Sequence, residues 1–313
     1  MNAQEERVVP MRIQARKGSV AEQRSYGKSG LPGAPWPMPK AIAPGVSPAP
    51  LEDLLFHGGK LVPQMQFQNV YLGAVSDWPG GDMESIDGAI TLAMRDQRLN
   101  NVMVQYFHGA KLSCDPIASV VTGGAEPKTL DEPDVQAKIV RLFDAGTIGA
   151  SDLGTTIFNL LLPPGSILAL NGLTSLEGLG GYHGSAHVER GGRDITLYYS
   201  ASVYSEALAN GRVNGIPAFN ERWKNVVATL YHELNEFRTD ADVRDAIEHR
   251  DNDFLGWASR RGREVGDEPI AAARSLDLVF QEVIAGASNR KIPVQFMYSN
   301  VVHGPEGPIE SHR

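Results

Sequence analysis

Cysteine and long apolar runs are almost absent from this sequence of 313 residues, and each absence excludes a class of protein. The single cysteine, Cys114, excludes an internal disulfide framework and a cysteine-based zinc cluster, and we interpret it as a small semi-buried side chain. No apolar run is long enough to span a membrane. A charged start followed by an apolar segment is also missing, so no secretory signal is predicted. We expect a protein that is cytoplasmic or exported by a non-classical route.

Positive charge is scarce as well. The chain has 29 Lys and Arg against 37 Asp and Glu, and its net charge of -8 argues against binding to nucleic acid, which needs clustered basic side chains. A peptide or a small amide remains a suitable substrate. Hydrophobic residues make up 42% of the chain, which permits a core large enough for one large domain or two ordinary ones. The sequence does not indicate an oligomeric state.

One stretch, residues 219–240, has the pattern of a long amphipathic helix. Asn220 is its candidate N-cap, and neither Gly nor Pro interrupts the residues that follow. Apolar side chains recur every three or four positions, as expected for a helix with one buried face. They are Phe219, Trp223, Val226, Leu230, Leu234 and Phe237.

His232 and Glu236 project from the opposite side of this predicted helix, one turn apart, with Glu233 between them. The string His-Glu-x-x-Glu differs by one residue from His-Glu-x-x-His, in which the outer residues hold zinc and the Glu is the general base. Zinc accepts imidazole nitrogen and carboxylate oxygen alike. The spacing therefore predicts a metal site with His232 and Glu236 as ligands and Glu233 as the base. The alternative is a solvated polar face without any ion.

A further ligand has to come from elsewhere in the chain. The segment after Trp257 contains two carboxylates, Glu264 and Asp267, and is the best source for it. Glu264 could bind the metal. Asp267 could bind it too, or it could orient His232 by accepting the hydrogen of the other ring nitrogen.

A glycine-rich passage precedes a strand predicted at 195–202. Its glycine spacing does not match a nucleotide-binding loop, because a strand rather than a helix follows. We expect a flexible turn that presents Tyr182, His183 and His187. The two histidines could contact the metal or a substrate oxyanion. We count His183 among the catalytic residues, and we keep His187, Tyr182 and Asp240 as second-rank candidates.

The remaining segments predict a mixture of helices and strands, which is an α+β fold. Residues 1–50 are rich in Gly and Pro and are predicted to form a flexible tail. Residues 51–313 are predicted to form one domain, which could divide into lobes at 51–175 and 176–313. Other predicted strands lie at 66–75, 101–107, 155–162, 168–170 and 291–300, and other helices at 83–95, 133–145 and 242–249.

The string YHELNEFRTD resembles the AHELxEAxT(D/N)P signature of the EXORDIUM-like, phosphate-induced proteins and their bacterial relatives. In that family a Trp-containing loop and a Glu-x-Gly-Asp-x-Cys segment follow. Here Trp257 and the EVGD segment at 264–267 stand in the same order. NVYLGAVSDWP, GGYHGS and VQFMYSN resemble further family segments, so the likeness spans about 56–300. Ala241 and Glu268 depart from the family's Pro and from its Cys segment.

The resemblance implies a zincin-like fold, a mixed sheet with a central active-site helix that carries the HExxE motif. It implies zinc held by His232, Glu236 and a downstream carboxylate. Glu264 is then the leading third ligand and Asp267 the residue that orients a ligand, although the two could exchange roles. The expected activity is that of a zinc-dependent peptidase or amidase with Glu233 as the base. Because two carboxylate ligands weaken zinc as a Lewis acid, the alternative is a weakly active or inactive metal-containing protein that works in binding or signalling.

Overall fold

Residues 42–208, 211–285 and 290–310 are described by a computed structural model of the protein, and they form an α+β fold with mixed sheets. The helices in these ranges are α1 (Asp82–Arg95), α2 (Gln97–Met103), α3 (Glu132–Asp144), α4 (Arg222–Thr239), α5 (Val243–His249) and α6 (Asp267–Ala272). None of these helices is both long enough and apolar enough to cross a membrane. The strands are β1 (Leu55–Phe56), β2 (Gln64–Tyr71), β3 (Ser113–Val121), β4 (Thr129–Leu130), β5 (Thr156–Leu161), β6 (Ile167–Leu170), β7 (Leu173–Thr174), β8 (Gly181–Arg190), β9 (Arg193–Ser202), β10 (Glu206–Ala207), β11 (Val213–Asn214), β12 (Trp257–Ala258), β13 (Phe280–Ala285), β14 (Arg290–Gln295), β15 (Met297–Ser299) and β16 (Gly304–Glu306).

A five-stranded sheet in the order β3-β2-β5-β9-β8 forms the centre of the fold. The first four of these strands run parallel, and β8 pairs antiparallel with β9 at one edge. Every residue of β5 is buried, as expected for a parallel strand that is covered on both faces. Because strands from both sides of residue 175 contribute, the two lobes suggested by the sequence share one sheet.

Two hydrophobic clusters cover the two faces of this sheet. Ile157 and Leu161 of β5 belong to the cluster that contains side chains of α1 and α4. Phe158 and Leu160 belong to the other cluster, which contains side chains of α3. The alternation follows from the period of two in a strand. The sheet is thus held between α1 and α4 on one side and α3 on the other.

Helix α4 is buried on all sides from residue 225 to residue 239. Its apolar stripe packs as the sequence predicts, with Val226, Leu230, Leu234 and Phe237 in the cluster shared with α1. The polar side is covered as well, because β8 and β14 pack against the helix. The alternative of a solvated polar face is therefore wrong for His232, Glu233 and Glu236, which are fully buried.

Residues 101–107, predicted as a strand, are helical instead. They form the end of α2 and a 3-10 turn at Val104–Phe107. Asp96 is the N-cap of α2, and its side chain accepts hydrogen bonds from the backbone N–H groups of Arg98 and Leu99. This cap favours a helix over the strand that valine and aromatic residues otherwise prefer.

The glycine-rich passage forms a strand, so its prediction as a flexible turn is wrong. Strand β8 pairs with β9 along its whole length, and the chain reverses at Gly191 and Gly192. Both of these glycines have positive φ, of 61° and 72°, as a tight hairpin turn between twisted strands requires. Side chains of β8 consequently alternate between the two faces of the sheet, which decides what each of them can reach.

Part of the stretch predicted as a tail belongs to the packed structure. Ile42 pairs with Glu306, and Ala43 and Val46 are buried in the core. The rest of that stretch, residues 1–41, lies outside the described residues. The packed chain therefore begins before the predicted boundary at residue 51.

Candidate metal centre

Seven titratable side chains meet where the polar side of α4 faces β8, β14 and the loop before α6. Helix α4 and the residue after it contribute four of them, and the other three come from β8, the loop and α6. The His183 side chain is 3% exposed, and the other residues are at most 4% exposed. The cluster, called the acidic centre below, consists of His183, His232, Glu233, Glu236, Asp240, Glu264 and Asp267.

Gln295 of β14 sets the orientation of the His232 ring. The Gln295 amide N–H donates to the carbonyl oxygen of Gly266 at 2.5 Å, so its Oε1 faces His232 Nδ1 at 2.9 Å and accepts a hydrogen bond there. With Nδ1 held there, the ring directs Nε2 towards Glu236 Oε1, 3.0 Å away. An imidazole held in this way presents Nε2 to a cation. One alternative from the sequence was that Asp267 orients His232. In the structure, Gln295 rather than Asp267 accepts the hydrogen bond of His232 Nδ1.

The carboxylates around His232 favour its charged form. Burial alone lowers the pKa of His232, but the charges of Glu236, Glu233 and Asp267 outweigh it and raise the pKa to about 10. A cation bound at Nε2 would replace this proton, because metal ligands have to be deprotonated.

Gly266 allows the loop before α6 to approach the His232 ring closely. Its N–H donates to Glu236 Oε1 at 3.1 Å. A Cβ atom at this position would lie 2.4 Å from His232 Nδ1, which is far closer than nonbonded atoms pack. The φ angle of Gly266 is -90°, which any residue adopts. Space, rather than backbone conformation, therefore requires glycine here.

If His232 and Glu236 hold zinc, replacing Gly266 by Ala should weaken its binding by about 10-fold to 100-fold, the range seen when groups that orient a metal ligand are changed. The added methyl group displaces either the His232 ring or the loop. Competition with a fluorescent chelator measures the dissociation constant. Gly149→Ala is the matched control, because a Cβ there meets no atom within 4 Å. Equal zinc affinity of the two variants would contradict the importance of this close approach.

His183 and Glu233 lie beside each other next to Glu236. His183 Nε2 lies 3.1 Å from the carbonyl oxygen of Asp240 and donates to it, so Nδ1 faces Glu233 Oε2 at 3.4 Å. Neither Glu233 oxygen has a hydrogen-bond partner among the described residues. Burial raises the pKa of Glu233. A carboxyl group with a raised pKa in a dry environment has the properties of a general base.

Asp267 and Glu264 reach the acidic centre from different directions. Asp267 forms a group with His232 and Glu236 in which the potential ligand atoms lie within 4.8 Å of one another. Glu264 forms a second such group with His183 and Glu236. Burial, followed by the charge of Glu236, raises the pKa of both carboxyl groups. His232 therefore shares its group with Asp267, although the resemblance placed Glu264 first.

Asp240 connects the end of α4 to the residue just before β12 through a hydrogen bond. Its Oδ1 accepts the N–H of Gly256 at 2.7 Å, and its Oδ2 has no hydrogen-bond partner in the described ranges. Burial raises the pKa of Asp240 to about 7. This second-rank candidate thus belongs to the acidic centre and also holds one of its surrounding loops.

The other two second-rank candidates lie outside the acidic centre. His187 sits further along β8, where Nε2 pairs with Asp245 at 2.6 Å and Nδ1 lies 3.1 Å from the Thr196 hydroxyl. Tyr182 belongs to the hydrophobic cluster on the α3 side of the sheet, and its ring contacts Tyr199. The alternation of β8 separates Tyr182 from the histidine that follows it.

The donors of the acidic centre fit a divalent cation. Several buried carboxylate oxygens have no hydrogen-bond partner in the described part of the chain, and such groups are costly to bury unless something binds them. They are both oxygens of Glu233 and of Glu264, Glu236 Oε2, Asp240 Oδ2 and Asp267 Oδ2. A set of imidazole and carboxylate donors without thiolate suits zinc and other first-row divalent ions. Gln295 is the residue of this candidate site that sequence reasoning missed. Its signal was the VQFMYSN string, which was noted only as part of the resemblance.

The resemblance to the EXORDIUM-like proteins stays a prediction. No family model matches the sequence, and neither a curated protein nor a solved structure matches it.

Proposed function

We propose that the protein is a zinc-dependent hydrolase that cleaves peptide or small amide bonds. The observation that carries the proposal is the buried group of His232, Glu236 and Asp267 with the Glu233 carboxylate beside it. The zincin-like fold is part of the proposal, and a mixed sheet packed against α4, which carries the HExxE motif, supports it.

In this proposal the residues of α4 have two roles, binding of the cation and proton transfer. His232 and Glu236 hold the cation together with Asp267 or Glu264. Bound zinc would supply a Lewis acid and lower the pKa of an adjacent water molecule. Glu233 accepts the proton of that water and returns it to the leaving nitrogen. His183, 3.4 Å from Glu233, either holds that carboxylate in place or donates to a substrate oxygen.

Burial of the acidic centre sets a condition for catalysis. Because the seven residues are almost inaccessible, a peptide reaches Glu233 only if a covering segment moves. Strand β8 covers one side and is an edge strand, paired with β9 alone in the central sheet. The loop at 259–266 covers another side. Opening of one of these segments is therefore part of the proposed reaction cycle.

The same burial favours a second candidate function. Structural zinc sites are closed, whereas catalytic sites keep a position open for water or substrate. A metal-containing binding or signalling protein, in which the cation only stabilises the fold, needs no opening. The two carboxylate ligands also favour this second function, because they make zinc a weaker Lewis acid.

Elemental analysis of the purified protein, paired with a broad screen of peptide and amide substrates, tests both candidates. The hydrolase predicts stoichiometric zinc and a cleavage activity that a chelator removes and added zinc restores. Zinc without any cleavage supports the second candidate. A protein that neither contains nor takes up a divalent cation contradicts both.

A further inference from the structure

Glu236 presents its two carboxylate oxygens to different neighbours. Oε1 accepts the Gly266 N–H and lies 3.0 Å from His232 Nε2. Oε2 lies on the other side, 3.8 Å from His183 Nδ1, and has no hydrogen-bond partner in the described part of the chain. A carboxylate that bridges two cations uses one oxygen for each, and paired sites hold their ions about 3.5–4 Å apart. Glu236 has the orientation of such a bridge.

Glu264 is an independent sign of a second ligand. Its carboxylate is fully buried, and neither of its oxygens has a hydrogen-bond partner among the described residues. It belongs to a group with His183 and Glu236 whose potential ligand atoms lie within 4.8 Å of one another. A cation held by His232 and Asp267 leaves the group formed by Glu264, His183 and Glu236 unsatisfied.

The acidic centre also holds more carboxyl groups than one divalent cation neutralises. The basic side chains within 4 Å of its glutamates, in the ranges that the structure describes, are His183 and His232. When these serve as neutral ligands, one divalent cation compensates two ionised carboxylates and two cations compensate four of the five. A buried carboxyl group that no cation compensates has to be protonated. The carboxylates are Glu233, Glu236, Asp240, Glu264 and Asp267.

We propose that the acidic centre binds two divalent cations bridged by Glu236, one held by His232 and Asp267 and the other by His183 and Glu264. The inference rests on the proposed function, because the first cation is the zinc of that proposal. His183 then binds through Nδ1, which lies 3.8 Å from Glu236 Oε2, while its Nε2 keeps the Asp240 carbonyl oxygen. This role replaces the contact with Glu233 or with a substrate oxygen. Paired cations suit displacement reactions in which attacking and leaving atoms both need charge stabilisation.

Counting ions on the full-length chain tests this assignment. The metal-free protein is loaded with zinc, freed of excess ion and examined by native mass spectrometry. Two zinc ions per chain are expected for the wild type, and one for Glu264→Gln. His183→Gln should also retain one and serves if Glu264→Gln fails to fold. Glu268→Gln is the matched control, because Glu268 is a buried carboxylate next to Asp267 that pairs with Arg263 instead. It should retain two.

Loading with Mn²⁺ adds a readout for the bridge itself. Two ions that share Glu236 are magnetically coupled, so the electron paramagnetic resonance spectrum should show the hyperfine pattern of a pair. Glu264→Gln should give the spectrum of an isolated ion. One ion per chain in the wild type would overturn the second site and leave the proposed function standing. No ion at all would overturn both. Two ions that persist in Glu264→Gln and His183→Gln would overturn the ligand assignment.

Discussion

Removing the proposed cation should lower the melting temperature of the protein by roughly 10 °C. A ligand that binds only the folded state stabilises it by about 4 kcal/mol when its free concentration is 1,000 times its dissociation constant. Each kcal/mol shifts the melting temperature of a domain of 150–250 residues by about 2–4 °C, and the shift is near the lower end of this range for a longer chain. The physical reason is the acidic centre, whose buried carboxylates lose the ion that compensates their charge.

Differential scanning fluorimetry with and without a chelator measures this shift, and added zinc should reverse it. His232→Ala, which removes one of the proposed ligands, should show a clearly smaller response to chelator and to zinc than the wild type. His187→Ala is the matched control, because that histidine is half exposed and pairs with Asp245 away from the acidic centre. It should keep the full response. A wild-type protein that ignores the chelator would show that no cation supports this fold.

The second large effect concerns Glu233. Replacing it by Gln should reduce kcat/KM by a factor of about 100 to 10,000, the usual contribution of a general base. Glutamine has the same size but cannot accept the proton of the attacking water. Because Glu233 is beside the potential ligands rather than one of them in the two groups, zinc content should not change.

Steady-state kinetics on the best substrate of the screen, with elemental analysis of the same samples, checks this expectation. Glu248→Gln is the control, because Glu248 is exposed on α5 and its nearest partner is Arg244 at 4.0 Å. It should leave both activity and zinc content as they are. Full activity in Glu233→Gln would exclude Glu233 as the base. Loss of zinc in that variant would instead make Glu233 a ligand.

The pattern of residues along the chain was sufficient for the elements that depend on neighbours in sequence. Helix α4 follows from its apolar period, and the α+β class follows from the alternation of helical and strand patterns. The proximity of His232, Glu233 and Glu236 follows from the geometry of one helical turn. Where local signals conflicted, the prediction was wrong. Residues 101–107 have strand composition but follow a capped helix start, and β8 is rich in glycine but pairs along its whole length with β9.

By itself, the sequence of this protein determined a helix that places a histidine and two glutamates on one side, together with the carboxylates available to join them. Tertiary structure alone decided that this side is buried, that Asp267 rather than Glu264 shares a group with His232, and that Gln295 orients the His232 ring. The physical reason is that residues four apart on a helix are neighbours whatever the rest of the chain does. Contacts between segments far apart in sequence depend on how β8, β14 and the loop before α6 pack around α4.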